Sequence, residues 1–287
     1  MLSRKLDRRS FLATTAATTV GLLTTRTASA VEDFAGFAVG VQTYTFRNFD
    51  LEQMLKRTKE LGLKSGEFYA KHIPIESPPE KLKAILALCK EYDVTPMGFG
   101  VVGFSKNHEA NKKLFDFGKS IGVKYLSADP SMDSFDSLDK LCEEYKIAIA
   151  IHPHGPVGEG KRHRWWSAEQ ILKAVKDHHK LIGTCLDTGH LIRMATLGEK
   201  LDPAEQVKVM GDRNFALHLK DHDNKKDTDV PFGDPTGVLD VPAVLKALKA
   251  VKFAGHIAIE YEANADNPSP DMKKCVAFVK EAAAKIA

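Results

Sequence analysis

Thr184-Cys185-Leu186-Asp187-Thr188-Gly189-His190-Leu191-Ile192-Arg193 decides how the chain is read. Apolar residues lead into Asp187, Gly189 supplies a turn, and His190 follows the carboxylate by three positions, the pattern of a buried strand that ends at an open rim. Two side chains able to hold a metal therefore leave one strand end. His152, His218 and Glu260 close similar apolar runs at 147–152, 215–220 and 257–261.

Working outward, strand patterns at 39–44, 66–69, 96–104, 124–128, 147–152, 181–187, 215–220 and 257–261 alternate with helical patterns. Residues 147–152 are continuously apolar, as in a strand covered on both faces. Leu51, Met54, Leu55 and Leu61 share one helical face, and Leu82, Ile85, Leu86 and Cys89 share the next. Ser77-Pro78-Pro79-Glu80 and Ser167-Ala168-Glu169-Gln170 read as capping boxes, and Asp202-Pro203 as a helix start. Eight such units of about 30 residues predict an α/β fold, a single (β/α)8 TIM barrel. An open doubly wound sheet is the alternative, but no Gly-x-Gly-x-x-Gly turn follows the first strand.

The first thirty residues stand apart. Arg8-Arg9-Ser10-Phe11-Leu12, a Thr-rich apolar run and Ala28-Ser29-Ala30 resemble a twin-arginine export signal. The apolar run is about 13 residues, short of the roughly 20 that span a bilayer. The expectation is a signal at 1–30, a barrel domain at 31–287, periplasmic location in a bacterium and no stable membrane span after cleavage. Among 41 basic and 38 acidic residues, five basic and one acidic lie in residues 1–30, so the remainder carries 36 against 37, a net charge of −1. Such a surface argues against a nucleic-acid partner. Cys89, Cys142, Cys185 and Cys275 form no Cys-x-x-Cys pair and read as buried free thiols, although export would permit a disulfide.

A barrel places its chemistry at the carboxyl ends of its strands. His152, Asp187, His218 and Glu260 would then be neighbours around half the rim. Two imidazoles and two carboxylates can enclose one divalent metal ion and leave positions for substrate oxygens. The donor set suits manganese, cobalt, zinc or iron better than calcium, with magnesium also admitted. His154 rivals His152, because strand alternation leaves both on one side. Each residue also has a plain reading, as a hydrogen-bonded core histidine or a turn cap, but four such groups buried without partners would each be costly.

Leu186-Asp187-Thr188-Gly189-His190, Leu217-His218-Leu219-Lys220-Asp221 and Ile259-Glu260-Tyr261 resemble the xylose isomerase-like barrel superfamily, over residues 39–286. That superfamily includes sugar phosphate isomerases and epimerases, ketose 3-epimerases, inosose dehydratases and endonuclease IV. The resemblance implies that Asp187, His218 and Glu260 are metal ligands and that His190 contacts substrate. At the fifth strand the chain departs, because ketose 3-epimerases carry a second proton-transferring glutamate where this sequence reads Ile151-His152-Pro153-His154. Glu260 could still abstract a proton, with His152, His154, His190 or Lys220 as the opposing acid. Endonuclease IV chemistry needs an Asp-x-His after the seventh strand, whereas Asp229 precedes Val230 and Pro231.

The expected function is a metal-dependent sugar isomerase or epimerase. The alternatives are a lyase or dehydratase acting on 3-keto-glycosides or inosose-like substrates, and a carbohydrate-binding barrel without catalysis. The partner would be a small-molecule sugar or keto-sugar; the sequence leaves a homo-oligomer open. For substrate, Arg162, His163, Arg164, Trp165 and Trp166 offer guanidiniums for anions and indoles for a sugar face, or equally a solvated loop. Glu67, Lys71 and His72 either line the pocket or form a surface ion pair. Gly233 and Gly237 would let a loop approach the ligand.

Overall fold

The computed structural model describes residues 34–158 and 160–286. The expected export segment lies outside them. The strands are β1 Ala38–Gln42, β2 Ser65–Phe68, β3 Thr95–Phe104, β4 Tyr125–Pro130, β5 Ala148–Ile151, β6 Ile182–Asp187, β7 Asn214–Leu219, β8 Asp221–Asp223, β9 Thr228–Val230 and β10 His256–Ile259. Eight of them close a parallel barrel in the order β1, β10, β7, β6, β5, β4, β3, β2. The fold is a single (β/α)8 TIM barrel, as expected. β8 and β9 form an antiparallel hairpin within the polar stretch after β7, where a loop was expected.

Around the barrel run α1 Leu51–Glu60, α2 Pro79–Glu91, α3 His108–Ile121, α4 Phe135–Tyr145, α5 Ala168–Val175, α6 Thr188–Arg193, α7 Pro203–Met210, α8 Val241–Ala250 and α9 Ser269–Ala284. The Ser167 hydroxyl accepts from Gln170 N, and Asp202 accepts from Ala204 N, so these two starts are as predicted. The Ser77 cap is not formed. Pro78 occupies the cap position without a side-chain hydrogen bond, and Pro79 opens the helix. The helix therefore begins one residue later than the Ser77 cap requires, with proline at its first position, where the missing N–H costs nothing.

Every β5 residue is buried, so the continuously apolar reading holds. The main core lies between strands and helices, and a smaller apolar plug of Tyr125, Ala148, Ala150, Cys185 and Ala216 fills the barrel. All four cysteines are buried and free. Among the described residues, no helix is long and apolar enough to cross a membrane.

The glycine expectations change. Gly189 is helical, inside α6, and a Cβ there would lie 2.8 Å from Lys220 Cγ. Its role is close approach to Lys220, because β6 passes directly into α6 with Asp187 as cap. Gly237 packs against the Asp221 carboxylate and Gly233, with φ +82°, against Phe278. Both shape their own loop and neither lines the rim cavity.

Candidate metal and substrate site

Asp187 is the last residue of β6 and the N-cap of α6. Its Oδ1 accepts from His190 N at 2.7 Å, which fixes the carboxylate and turns Oδ2 into the barrel mouth. Around Oδ2 stand Lys220 Nζ at 3.1 Å, His152 Nε2 at 3.3 Å and His218 Nδ1 at 3.6 Å. His218 Nδ1 is in turn 3.5 Å from Glu260 Oε2. Register makes this meeting necessary, because Asp187 pairs with His218 across β6 and β7, and His218 with Ala258 across β7 and β10. The four expected ligand residues therefore converge.

Asp187 Oδ2 and His218 Nδ1 are buried and make no hydrogen bond of acceptable geometry. Asp187 Oδ2 is held there only by its charged and imidazole neighbours Lys220 and His152, and two donor atoms left facing each other in this way fit a cation between them. The charges point the same way: four carboxylates, Glu67, Asp187, Glu260 and Glu262, surround two cationic groups, Lys220 and His218. Lys220 lies 2.9 Å from Glu260 Oε2 and 2.7 Å from Glu262 Oε1. Burial would lower the pKa of His218, but the neighbouring Glu67 and Glu260 raise it well above the usual imidazole value. Burial pushes the Glu260 carboxyl up to about 7, a rise that Lys220 and His218 only partly offset. Burial also acts to raise Asp187, but the Lys220 ammonium foremost holds it well below the usual carboxylate range. His190 and His152 are kept neutral by burial.

Glu67 does not line the cavity, contrary to the substrate-contact expectation, and it makes no pair with Lys71. It is fully buried beneath the site. Its carboxylate accepts from His218 Nε2 and Tyr125 Oη at 2.9 Å, from Gln42 Nε2 at 2.8 Å, and from Ser127 Oγ. Burial would raise this acid, but the facing His218 and the hydrogen bonds bring it down to about 2. A carboxylate holding one imidazole nitrogen leaves the other aimed outward, the arrangement that orients metal-binding histidines. A second donor group of Glu67, Cys185 and His218 is thus occupied by this bond.

His152 and His154 are now separated. His152 Nε2 faces Asp187, whereas His154 stacks on His190 with centroids 4.2 Å apart and stands 5.4 Å from His163. Both line a cavity of about 590 Å³, together with His190, His218, Lys220 and Glu260.

The expected indole platform is not there. Trp165 is 2% exposed and donates through Nε1 to Pro130 O at 3.1 Å, pinning the loop after β5 to the end of β4. Trp166 sits outside the cavity with the Arg162 guanidinium over its ring, and Arg162 pairs with Glu199. Arg164 pairs with Asp129 at 3.3 Å, also off the cavity wall. His72 is buried against Tyr69 and bonded to Phe49 O, and Lys71 reaches the Arg47 carbonyl. These aromatic and basic groups found partners within the protein.

Sequence reading missed Gln42, Tyr44, Tyr69, Val101, Asp129, Arg193 and Glu262, all on the cavity wall. Two carried a signal. Glu262 follows Glu260 by the two-residue strand period, and Arg193 follows His190 by one helical turn.

Fold and rim together define a barrel with a donor cluster of metal-binding type at the carboxyl ends of its strands. The family model for the xylose isomerase-like TIM barrel matches residues 55–282, and the chain belongs to that family. No curated protein matches by sequence. Among solved structures, an uncharacterised protein from Parabacteroides distasonis is 26% identical, with TM-score 0.66, covering 85% of this chain and 98% of its own. A D-psicose 3-epimerase structure determined in the presence of D-fructose is 14% identical, with TM-score 0.63, covering 87% and 98%. A 3-keto-D-glucoside 4-epimerase from E. coli is 15% identical, with TM-score 0.64, covering 85% and 99%.

Proposed function

We propose that the protein is a metal-dependent enzyme that moves a proton on a sugar or keto-sugar, with isomerisation or epimerisation as the outcome. The observation that carries this is the convergence of His152 Nε2, Asp187 Oδ2, His218 Nδ1 and Glu260 Oε2, neighbouring atoms of which lie 3.3–3.6 Å apart, with Asp187 Oδ2 and His218 Nδ1 lacking hydrogen bonds. These residues would hold one divalent ion, of manganese, cobalt, zinc, iron or magnesium. When bound, it supplies polarisation of a carbonyl and hydroxyl of the sugar. The names of the barrels it resembles in fold support a small sugar as substrate.

Glu260 takes the proton from carbon, because its carboxylate reaches the cavity wall among the residues that would hold the ion. Lys220 donates to its Oε2 and holds it in place. Lys220, protonated and on the cavity wall beside Glu260, gives a proton to carbon or oxygen, while the neutral His190 and His154, stacked on each other, offer hydrogen bonds to substrate oxygens. Return to carbon completes an epimerisation or isomerisation. Delivery to a leaving β-oxygen completes an elimination, and this second reading is favoured by one observation: imidazoles, not a second rim glutamate, face Glu260 from the fifth-strand side.

Metal analysis of the purified protein beside Asp187→Asn is the first test, with about one equivalent in the parent and none in the variant expected. Keto-sugars incubated in D2O with the loaded enzyme should gain deuterium at carbon; loss of water from the product mass instead would establish the elimination. A folded, metal-free protein that resists reconstitution would overturn the proposal and leave a carbohydrate-binding barrel. We further propose export by the twin-arginine route, which amino-terminal sequencing starting at Val31 would support and a retained residue 1 would refute.

A further inference from the structure

The rim cavity has two unlike walls. β4 to β7 and β10 supply the histidines, carboxylates and Lys220, while the ends of β1, β2 and β3 supply Tyr44, Tyr69, Ile75, Gly100 and Val101. Tyr44 and Val101 are among the few large apolar side chains left exposed, at 38% and 47%. Tyr44 and Tyr69 meet edge to face with centroids 5.3 Å apart. The Arg47 guanidinium lies 4.9 Å from the Tyr44 centroid and donates to Glu262 O at 2.6 Å, which ties this ring to the polar half.

Size adds a second argument. At about 30 Å³ per water the cavity of about 590 Å³ has room for some twenty waters, several times what one sugar ring displaces. A monosaccharide seated on the polar half leaves the Tyr44 wall in water. Exposed apolar surface next to a built polar site is the mark of a binding groove.

We infer that the Tyr44, Tyr69 and Val101 wall is a subsite for a flat, partly apolar ring attached to the sugar, so that the substrate is a glycoside rather than a free monosaccharide. The inference rests on the polar half being the sugar site. An aryl group and a second sugar ring both present the flat CH or π face that tyrosine stacks on.

The test is titration calorimetry on the metal-loaded protein with methyl β-D-glucoside, phenyl β-D-glucoside and cellobiose, and with the 3-keto form of each. Phenyl glucoside or cellobiose, or its keto form, is expected to bind about tenfold tighter than the methyl partner, and Tyr44→Ala to erase the gain while methyl glycoside affinity holds. A gain confined to the phenyl compounds identifies an aryl group, and one confined to cellobiose a second sugar; either supports the subsite. Equal binding of all three, dependent on metal, overturns the subsite and leaves the sugar site standing. Binding that ignores both metal and Asp187→Asn overturns the sugar-site reading itself. Tyr44 is exposed, so its truncation leaves folding intact, and Val101→Ser provides an independent second variant.

Discussion

The two halves of the barrel mouth are built from the same strand-to-loop geometry and differ in what closes each strand. On β5, β6, β7 and β10 the last inward positions are His152, Asp187, His218 and Glu260, buried and mutually facing. On β1 and β3 the corresponding ends present Tyr44 and Val101 to solvent. Buried charged groups must be held by one another or by an ion, so the first half is rigid and demanding of its neighbours. The exposed Tyr44 and Val101 side chains carry no such constraint. One barrel thus separates a buried, charged side of its mouth from an exposed, apolar one.

The largest effect that could break this contrast is loss of the ion. Asp187→Asn keeps the N-cap oxygen, and His218→Ala removes a donor; each should lower metal retention at least 100-fold in equilibrium dialysis, with circular dichroism unchanged. A variant that keeps its metal would remove that residue from the ligand set. Next, Glu67→Gln should weaken metal binding by about 10- to 100-fold without touching the cavity wall, because the His218 ring loses the anion that orients it. Nitrogen NMR of His218 should show the change in protonation of Nε2, which a purely structural role for Glu67 would not produce.

The contrast continues in depth, through His256 at the start of β10. It is held by Ser65 Oγ and Tyr125 Oη at 3.0 Å each, and burial lowers its pKa from 6.5 to about 4. Its folded-state pKa is depressed, so it contributes nothing to pH dependence above about 6.5. As pH falls from there to about 4, the unfolded chain takes up a proton that the folded chain refuses, at a cost of about 3 kcal/mol. Urea unfolding at pH 7 and pH 4.5 should show a smaller loss in His256→Asn than in the parent; parallel losses would dismiss the assignment. The smallest effect belongs to the other half, where Tyr44→Ala should change stability by no more than about 0.5 kcal/mol in the same assay.

The barrel was legible because each strand and helix declares itself locally. Residues 147–152 and 181–187 are apolar throughout, and Ser167 and Asp202 mark helix starts without reference to anything distant. The donor residues were legible for a related reason: a histidine or carboxylate ending an apolar run is anomalous in one dimension. The hairpin of β8 and β9 was not, since its short polar strands lack an apolar face to give a period. The Ser77 cap looked right by spacing and failed because Pro78, which has no side-chain acceptor, stands at the cap position in its place.

By itself, then, the sequence determined the alternation, the eight units and the identity of three of the four candidate ligands, Asp187, His218 and Glu260, since these depend on patterns within a few residues. Only tertiary structure decided which histidine of His152 and His154 faces Asp187, because alternation puts both on one side and packing against His190 separates them. It also moved Glu67 from the substrate wall to the support of His218, and buried Trp165 in a loop anchor. Those roles depend on which strand ends and loops meet in space, a relation between residues from 35 to 151 positions apart that no local period encodes.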